Sequence, residues 1–231
     1  MNSIRAEDYL KTIYELEQAG GPAPTSAIAA RLEVSAGTVT GMVKRLSDRG
    51  LVEHVPYNGA RLTRAGETAA LGLIRRHRLV ELFLVRRLGY GWDRVHAEAE
   101  RLEHAVSDEL VDRMAAILGE PERDPHGARI PKPGEPFEDP CHPCLSELAE
   151  GTRAVLREVP DEDPEALRYL ARQSLVPGVE IRLLERTPFR GPLRIEVGQR
   201  ECYVGVELSA HLRVEPMPVA KAPVRDVEEA E

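Results

Sequence analysis

The chain has 231 residues, 42% of them hydrophobic, with 31 Lys and Arg against 39 Asp and Glu and a formal net charge of −8. No apolar run approaches the roughly 18 residues of a membrane span, and the N-terminus lacks the apolar core of a secretory signal, so we expect a cytoplasmic protein without membrane contact. Three cysteines, an odd number, do not make a disulfide framework. A membrane protein and a disulfide-stapled secreted domain are therefore excluded, and the length allows one large domain or two to three small ones.

Charge is distributed unevenly along the chain. Residues 1–76 contain ten Lys and Arg against eight Asp and Glu, whereas the remaining residues contain 21 against 31. The net charge of the whole chain argues against nucleic-acid binding, but this asymmetry predicts a mildly basic module joined to an acidic body. Most of the candidate metal ligands lie in the acidic part.

Three helices are predicted at the N-terminal end. Apolar side chains recur at helical spacing in three consecutive segments, residues 4–18, 27–32 and 36–49. Gly20-Gly21-Pro22 ends the first segment, Ser35 is an N-cap candidate for the third, and Gly50 is typical of the residue that follows a helix. The tight turn at Glu33-Val34 joins the second and third helices, which is the helix-turn-helix pattern.

A hairpin is predicted directly after these helices. Leu51–Val55 and Ala60–Thr63 have strand character, and the segment Pro56–Gly59 between them contains the turn pair Asn-Gly. Any small helical subdomain would explain the second and third helices taken alone. The ordered set of three helices and a hairpin is more specific, and it predicts a winged helix-turn-helix.

Two longer helices are predicted next, over residues 66–88 and 93–118. The second carries two imidazoles and two carboxylates at helical spacing, at His96, Glu100, Glu103 and His104. These side chains share one face, and His77 and Glu81 repeat the spacing on the first helix. Such faces suit a divalent transition metal. The alternative is a solvated acidic face with incidental histidines. It is less favoured than a metal site because two His/Glu segments occur in tandem.

The first of these helices also predicts self-association. It carries more apolar side chains than a subdomain of this size needs, at Leu79, Leu82, Phe83 and Val85. We therefore expect a dimer interface on these helices.

The second half of the chain predicts a small all-β or α+β module. Residues 120–144 are rich in Pro and Gly and are expected to be irregular. Beyond them the sequence predicts helices and then strands, over 146–159, 165–172, 179–185, 193–197 and 202–207. The tail from residue 216 is expected to be loose. Cys141 and Cys144 lack the second pair that structural zinc needs and a thioredoxin-like context, so they are interpreted as structural or incidental.

Four separated segments, in this order, resemble the diphtheria-toxin-repressor family of metal-dependent transcriptional regulators: Glu7–Leu16, Arg76–Leu79, Glu103–Glu109 and Pro177–Ile181. The resemblance extends over roughly residues 4–215. It implies a mainly α fold with small β parts, divided into a winged helix-turn-helix DNA-binding domain, a helical dimerisation and metal-binding domain, an SH3-like β-barrel and a loose tail, over residues 1–72, 73–144, 145–216 and 217–231. It also implies a homodimeric repressor, not an enzyme, that binds a double-stranded DNA operator when metal is bound.

The resemblance implies a primary metal site at Asp8, Glu100, Glu103 and His104. Asp8 and Glu100 stand where the iron-responsive branch has Met and Cys. Carboxylate oxygen suits Mn(II) better than softer metals, so the pattern resembles the manganese-responsive branch, with Fe(II) as the alternative. Lys11 stands where some manganese regulators have Glu, and since an ammonium group cannot bind a metal, a single ion is expected there.

A second metal site and a DNA surface are also implied. The second site is expected from Glu81, Asp124, His126 and Asp163, or from His77, Glu81, His96 and Asp163. Phosphate or base contacts are expected from Thr38, Thr40, Lys44 and Arg45, and from Arg61 on the wing, while Ser35 and Gly37 allow close backbone approach. A metallohydrolase built on the same His/Glu cluster is a remote alternative, because no His-Glu-x-x-His arrangement or nucleophile signature is present.

Overall fold

Three helices and a hairpin form the N-terminal part of the protein in a computed structural model, which describes residues 6–18, 20–138 and 140–218. The elements are α1 (Ala6–Glu17), α2 (Thr25–Arg31), α3 (Ala36–Asp48), β1 (Val52–Val55) and β2 (Gly59–Leu62). The two strands pair antiparallel, with Val52 opposite Leu62. The predicted winged helix-turn-helix is therefore confirmed.

Local sequence signals explain where these elements begin and how they pack. Ser35 begins α3 as predicted, because its hydroxyl accepts a hydrogen bond from the Thr38 N–H at 3.1 Å. The core of this part is formed by side chains buried at helical spacing, with Ile13 on α1, Ile28 on α2 and Leu46 on α3 all fully buried. Burial of such side chains stabilises the fold by about 1.5–3 kcal/mol each.

A 25-residue helix, α4 (Arg64–Leu88), follows the hairpin as predicted. The prediction of one continuous helix over 93–118 is wrong, because the structure has α5 (Val95–Leu102), a turn, and α6 (Asp108–Leu118). Ser107 begins α6 by accepting a hydrogen bond from the Leu110 N–H at 3.3 Å. Its capping of the new helix, with two acidic residues in the first turn, outweighs the high helix propensity of the flanking sequence.

Helix α4 packs against α6 through a small apolar cluster. Leu79 and Leu82 are buried there together with Val111, Ala115 and Ile130. The prediction that Leu79 and Leu82 lie in a dimer interface is therefore wrong, since both side chains are covered by their own chain, whereas for the half-buried Phe83 and Val85 it stays a prediction. The helix period identified them as apolar, but it does not say which surface covers them.

A five-stranded antiparallel sheet forms the C-terminal part, in the strand order β6-β5-β4-β3-β7. The strands and helices are β3 (Arg153–Glu158), α7 (Pro164–Arg172), β4 (Glu180–Arg186), β5 (Leu193–Val197), β6 (Arg200–Val204), α8 (Val206–Ser209) and β7 (Arg213–Pro216). Alternating burial along β5 gives the sheet one apolar face, which packs with Leu167 and Leu170 of α7 in one core. The predicted fold class is confirmed.

Two predictions in this part are wrong. The expected helix over 146–159 is a short 3-10 turn, Leu145–Glu147, followed by β3, in which Ala154 and Leu156 are buried at a spacing of two. The expected strand over 202–207 ends at Val204, and α8 begins at Val206. Short apolar runs do not distinguish strand from helix by sequence alone. The predicted loose tail lies mostly outside the described residues, which end at residue 218.

The described residues form two compact units. The first contains the chain up to Tyr90 together with Ala97–Asp124 and Arg129–Glu138, and the second contains Gly91–His96, Pro125–Ala128 and the chain from residue 140 onward. The domain boundaries expected after residues 72, 144 and 216 stay predictions. None of the described helices is both long enough and apolar enough to cross a membrane.

Candidate metal centre

Three predicted ligands converge in the first unit. Asp8 lies in the first turn of α1, whereas Glu103 and His104 lie in the turn that follows α5. His104 Nε2 is 2.7 Å from Asp8 Oδ1 and 3.6 Å from Glu103 Oε1. The ligand atoms of the three side chains all lie within 4.8 Å of one another. Two carboxylates and an imidazole at this separation form a donor set that fits a divalent transition metal.

Glu7 also contacts this group, which the sequence did not predict. His104 Nδ1 lies 2.9 Å from Glu7 Oε2, so both ring nitrogens of His104 face carboxylates from the first turn of α1. Arg76 on α4 contacts Glu7 at 3.6 Å and donates a hydrogen bond to Asp108 at 3.1 Å. These contacts hold the first turn of α1 beside the turn that follows α5.

Lys11 supplies a cation one helical turn after Asp8. Its Nζ lies 3.7 Å from Glu103 Oε2 and 3.9 Å from Glu100 Oε1, and the side chain is only 16% exposed. Glu100, which was predicted as a ligand, therefore faces Lys11, and the structure does not bring it into the group of Asp8, Glu103 and His104. The ammonium group offsets negative charge on the side of Glu103 that faces away from His104.

A second pair of buried groups fixes Glu103 from the α4 side. His77 Nδ1 lies 2.5 Å from Glu103 Oε2, and His77 Nε2 lies 3.1 Å from Glu81 Oε1. Burial alone would lower the pKa of His77, but hydrogen bonds to Glu103 and Glu81 outweigh it and raise that pKa to about 9. Burial alone would raise the pKa of Glu103, but the His77 hydrogen bond and the Lys11 charge outweigh it and lower that pKa. Glu103 is thus held as a carboxylate, the form that binds metal.

The residues predicted for a second metal site are divided between the two units. His77, Glu81 and Asp124 belong to the first, and His96, His126 and Asp163 belong to the second. In the first unit His77 contacts Glu81, whereas Asp124 Oδ2 lies 3.8 Å from Arg78 Nε.

Within the second unit, the carboxylate beside His96 is Asp161. The distance from His96 Nδ1 to Asp161 Oδ2 is 3.5 Å. Asp163 instead begins α7, accepting hydrogen bonds from the N–H groups of Glu165 and Ala166, so the structure does not bring it to His96. His126 Nε2 lies 2.8 Å from the Trp92 carbonyl, and its ring stacks on the Trp92 indole. The acidic run 161–163 indicated that a carboxylate could lie near His96, but residue spacing does not say which of its carboxylates faces the histidine.

The residues predicted to contact DNA lie on α3 and on the wing. Those on or before α3 are all exposed: Ser35, Gly37, Thr38, Thr40, Lys44 and Arg45. Thr40 uses its hydroxyl to donate to the Ala36 carbonyl within the helix. Arg61 is exposed on β2, with its Nε 3.6 Å from Glu17 Oε1. The exposed face of α3 therefore carries two cations and several short polar side chains.

Comparison with known proteins identifies the family. Three family descriptions match in order: the iron dependent repressor N-terminal DNA binding domain over 1–60, the iron dependent repressor metal binding and dimerisation domain over 63–132, and the FeoA domain over 144–216. The iron-dependent repressor IdeR of Mycobacterium tuberculosis (strain ATCC 25618 / H37Rv) is 31% identical over 223 residues, which cover 90% of this chain and 96% of that protein. The chain belongs to the diphtheria-toxin-repressor family.

Other members of the diphtheria-toxin-repressor family agree with this assignment. The diphtheria toxin repressor of Corynebacterium diphtheriae is 41% identical over 125 residues, covering 54% of this chain and 55% of that protein. Two solved structures superpose with TM-scores of 0.86 and 0.80: a manganese-dependent transcriptional repressor in complex with manganese, and ScaR with bound Cd2+. They are 37% and 36% identical and cover 92% and 93% of this chain and all of each solved chain. The protein is a metal-dependent DNA-binding transcriptional repressor and not an enzyme, as predicted.

Proposed function

We propose that this protein is a Mn(II)-activated repressor that binds a double-stranded DNA operator as a homodimer. The observation that carries the proposal is the convergence of Asp8, Glu103 and His104 within 4.8 Å. Asp8 belongs to α1 of the winged helix-turn-helix, whereas the other two belong to the turn between α5 and α6. These three residues would hold one ion, which would join the DNA-binding part to the turn that follows α5.

The chemistry of the donors favours Mn(II). Asp8, Glu103 and Glu100 offer carboxylate oxygen and His104 offers imidazole, and no sulfur ligand is among them. Hard oxygen donors suit Mn(II), which lies low in the Irving–Williams order and is not selected by affinity alone. A relative with bound manganese supports this choice, whereas the iron-dependent relatives keep Fe(II) as the alternative.

The chain's own residues explain how metal binding couples to DNA binding. His104 bridges Asp8 and Glu7 in hydrogen-bond contact, so the first turn of α1 is already held near the turn after α5. Asp8, Glu103 and His104 would hold the ion, which would link α1 to the turn after α5, and His77 and Lys11 keep Glu103 charged as a ligand. By linkage, an ion that favours the orientation of α1 required by DNA is itself bound more tightly when DNA is present.

Glu100 completes the proposed primary site as a fourth ligand. Its side chain is 54% exposed and lies 3.9 Å from Lys11, and its carboxylate would supply a further oxygen donor. The Lys11 ammonium group lies 3.7 Å from Glu103 Oε2, and since an ammonium group cannot bind a metal, this site would hold one ion. The second metal site expected from the sequence stays a prediction, and within the second unit the carboxylate that faces His96 is Asp161.

We infer the dimer surface from exposed apolar side chains on α6. Leu110 and Ile117 are exposed and lie seven positions apart, about two helical turns, so they share one face of the helix. They replace Leu79 and Leu82 as candidates for the interface. Two copies of α3, one in each protomer, would then contact successive major grooves about 34 Å apart.

The proposal is tested with DNA that the protein itself selects. A random pool of 30-base-pair duplexes is enriched on the full chain in the presence of Mn(II), and binding of the recovered duplex is titrated in parallel with Mn(II), Fe(II) and Zn(II). We expect no tight binding in chelator and half-maximal binding at a free Mn(II) concentration that cells maintain. Binding that is equally tight in chelator contradicts metal activation, and activation by Fe(II) but not Mn(II) selects the alternative.

A further inference from the structure

The exposed face of the C-terminal sheet carries a straight row of four charged side chains. Arg153 on β3 lies opposite Arg182 on β4. Across the next two strands, Arg182 lies opposite Glu196, which in turn lies opposite Glu201. Successive side chains of a strand point to opposite faces, and one residue next to each of the four is buried in the core: Ala154, Ile181, Ile195 and Cys202. The whole row therefore lies on the face that points away from the core.

The charges in this row are grouped by sign, two positive and then two negative. Like charges directly opposite each other on neighbouring strands destabilise a sheet, whereas opposite charges stabilise it. Within residues 6–18, 20–138 and 140–218, no ion pair is formed by Arg153, Arg182 or Glu196. Glu201 contacts Arg194 at 3.0 Å. The grouping thus opposes the stability of the chain's own sheet, and the two arginines and Glu196 keep their charges available to a partner.

The grouped row is complementary to a second copy of itself. Consider two sheets packed face to face about a two-fold axis that runs along the strands, between β4 and β5. The axis exchanges the two halves of the row, so Arg182 faces the partner's Glu196 and Arg153 faces the partner's Glu201, and each contact occurs twice. Packed sheets lie about 10 Å apart, a gap that one Arg and one Glu side chain span together. A single symmetry operation thereby pairs all four charges.

We propose that two copies of the chain associate through this face of the sheet, which is a contact separate from the α6 surface. Four strands with five residues each in β5 and β6 offer roughly 300 Å² per partner, against about 800 Å² for a standard stable interface. Tyr203, 52% exposed and two residues after Glu201 on the same face, adds apolar area. The association is therefore weak, reversible and sensitive to salt.

The other candidate for this face is the end of the chain itself. Residues 219–231 contain four acidic side chains, and they follow closely on Met217, whose N–H donates a hydrogen bond to the Arg153 carbonyl at 2.8 Å. The second copy is favoured because the two-fold arrangement satisfies the acidic half of the row together with the basic half. A segment that binds to its own chain would also show no dependence on protein concentration, so the two occupants can be distinguished.

Sedimentation velocity of the full chain over a wide range of protein concentration tests the proposal, at about 0.05 M and about 0.5 M salt. Arg182→Glu and Glu196→Arg each bring like charges together at the centre of the pair. An equal mixture of the two variants restores both central contacts, because the new Glu faces the new Arg. The matched control is Arg172→Glu, since Arg172 is exposed at the end of α7, the helix that packs on the buried face of the sheet.

We expect the parent and the Arg172→Glu control to double in mass as concentration rises at low salt, and to do so less at high salt. Each central variant should associate about tenfold more weakly, since two attractive contacts become repulsive, and the mixture should regain the affinity of the parent. The double variant Arg182→Glu, Glu196→Arg again has opposite charges facing each other and should associate with itself as the parent does. It keeps the test decisive if a single variant proves unfolded by circular dichroism.

Several results would overturn the proposal. They are a parent that does not double in mass, a central variant that associates within twofold of the parent, and a mixture that associates no more tightly than its components. A chain that ends at residue 218 should associate as the parent does, and loss of association there would assign the face to residues 219–231. The measurement requires neither metal nor DNA, so its outcome is independent of the proposed function.

Discussion

Two glycines in α4 should respond in opposite directions to the same substitution. Gly66 lies in the first turn, and a Cβ there would be 1.9 Å from the Leu51 carbonyl oxygen and 3.2 Å from Leu62 Cδ2. The first distance is roughly 1.5 Å short of normal non-bonded contact. Gly72 lies in the same helix, and a Cβ there would meet nothing within 4 Å. Ala is therefore accommodated at one position and excluded at the other.

The magnitudes follow from these contacts. At Gly72, alanine should stabilise the helix by about 0.5–1 kcal/mol. At Gly66 the same propensity gain is opposed by an overpacking cost of about 1–3 kcal/mol. It is also opposed by weakening of the hydrogen bond from the Thr63 N–H to the Leu51 carbonyl, about 1 kcal/mol. We expect Gly66→Ala to be destabilised by about 2 kcal/mol and the two variants to differ by about 3 kcal/mol.

Thermal unfolding of the metal-free protein, followed by far-UV circular dichroism, measures this difference. For a chain of this size each kcal/mol moves the melting temperature by about 2–4 °C, so the variants should melt roughly 6–12 °C apart. The two variants have identical composition, and each serves as the control for the other. A Gly66→Ala protein as stable as the Gly72→Ala protein would refute the close approach of Leu51 to α4.

Three further changes test the DNA surface and the metal site. Lys44→Ala should weaken binding to all duplexes alike and lower the slope of log affinity against log salt by about one, because one phosphate contact is lost. Glu103→Gln and His104→Ala should each abolish metal-dependent DNA binding and leave the dimer folded, as judged by light scattering and circular dichroism. The double change Asp8→Met, Glu100→Cys should shift activation from Mn(II) toward Fe(II), Co(II) or Ni(II), measured as the metal concentration for half-maximal DNA binding.

Each of these tests has an outcome that contradicts it. A changed sequence preference with an unchanged salt slope would show that Lys44 contacts a base and not phosphate. Full metal response in both Glu103→Gln and His104→Ala would remove the primary-site assignment. Glu98→Gln on α5 is the matched control for Glu103→Gln, since Glu98 contacts Arg101 within its own helix. An unchanged metal ranking in the double variant would assign the choice of metal to residues other than Asp8 and Glu100.

The winged helix-turn-helix was predictable because its signals are local. Ser35 caps α3, Gly50 follows that helix, and the Asn-Gly pair lies in the turn of the hairpin. Each boundary is therefore determined by residues that are close to it in the sequence. The break between α5 and α6 was not predicted, since Glu103 and His104 lie in sequence that favours helix. Its one signal, Ser107 before two acidic residues, competes with helix propensity on both sides.

Which residues belong to the candidate site could be predicted from the sequence, but which of them contact each other could not. Through the family resemblance the sequence predicted Asp8, Glu103 and His104 as ligands, and the structure brings their donor atoms together. It did not indicate that Glu7 contacts His104 or that Asp161, two residues before Asp163, faces His96. Which of two neighbouring carboxylates faces a histidine depends on the path of the backbone, and the spacing of residues in the sequence does not reveal that path.

The end of α5 at Leu102 has a consequence for how this site can change. Within a helix, inserting one residue rotates every later side chain by about 100°, so ligands that lie on a helix are tied to its phase. Glu103 and His104 lie instead on a turn between two helices, the second of which has its own cap at Ser107. The phase of α6 is therefore set by its own cap at Ser107 and not by the phase of α5, so the side chains of α6 are oriented independently of the helix that leads to the ligands.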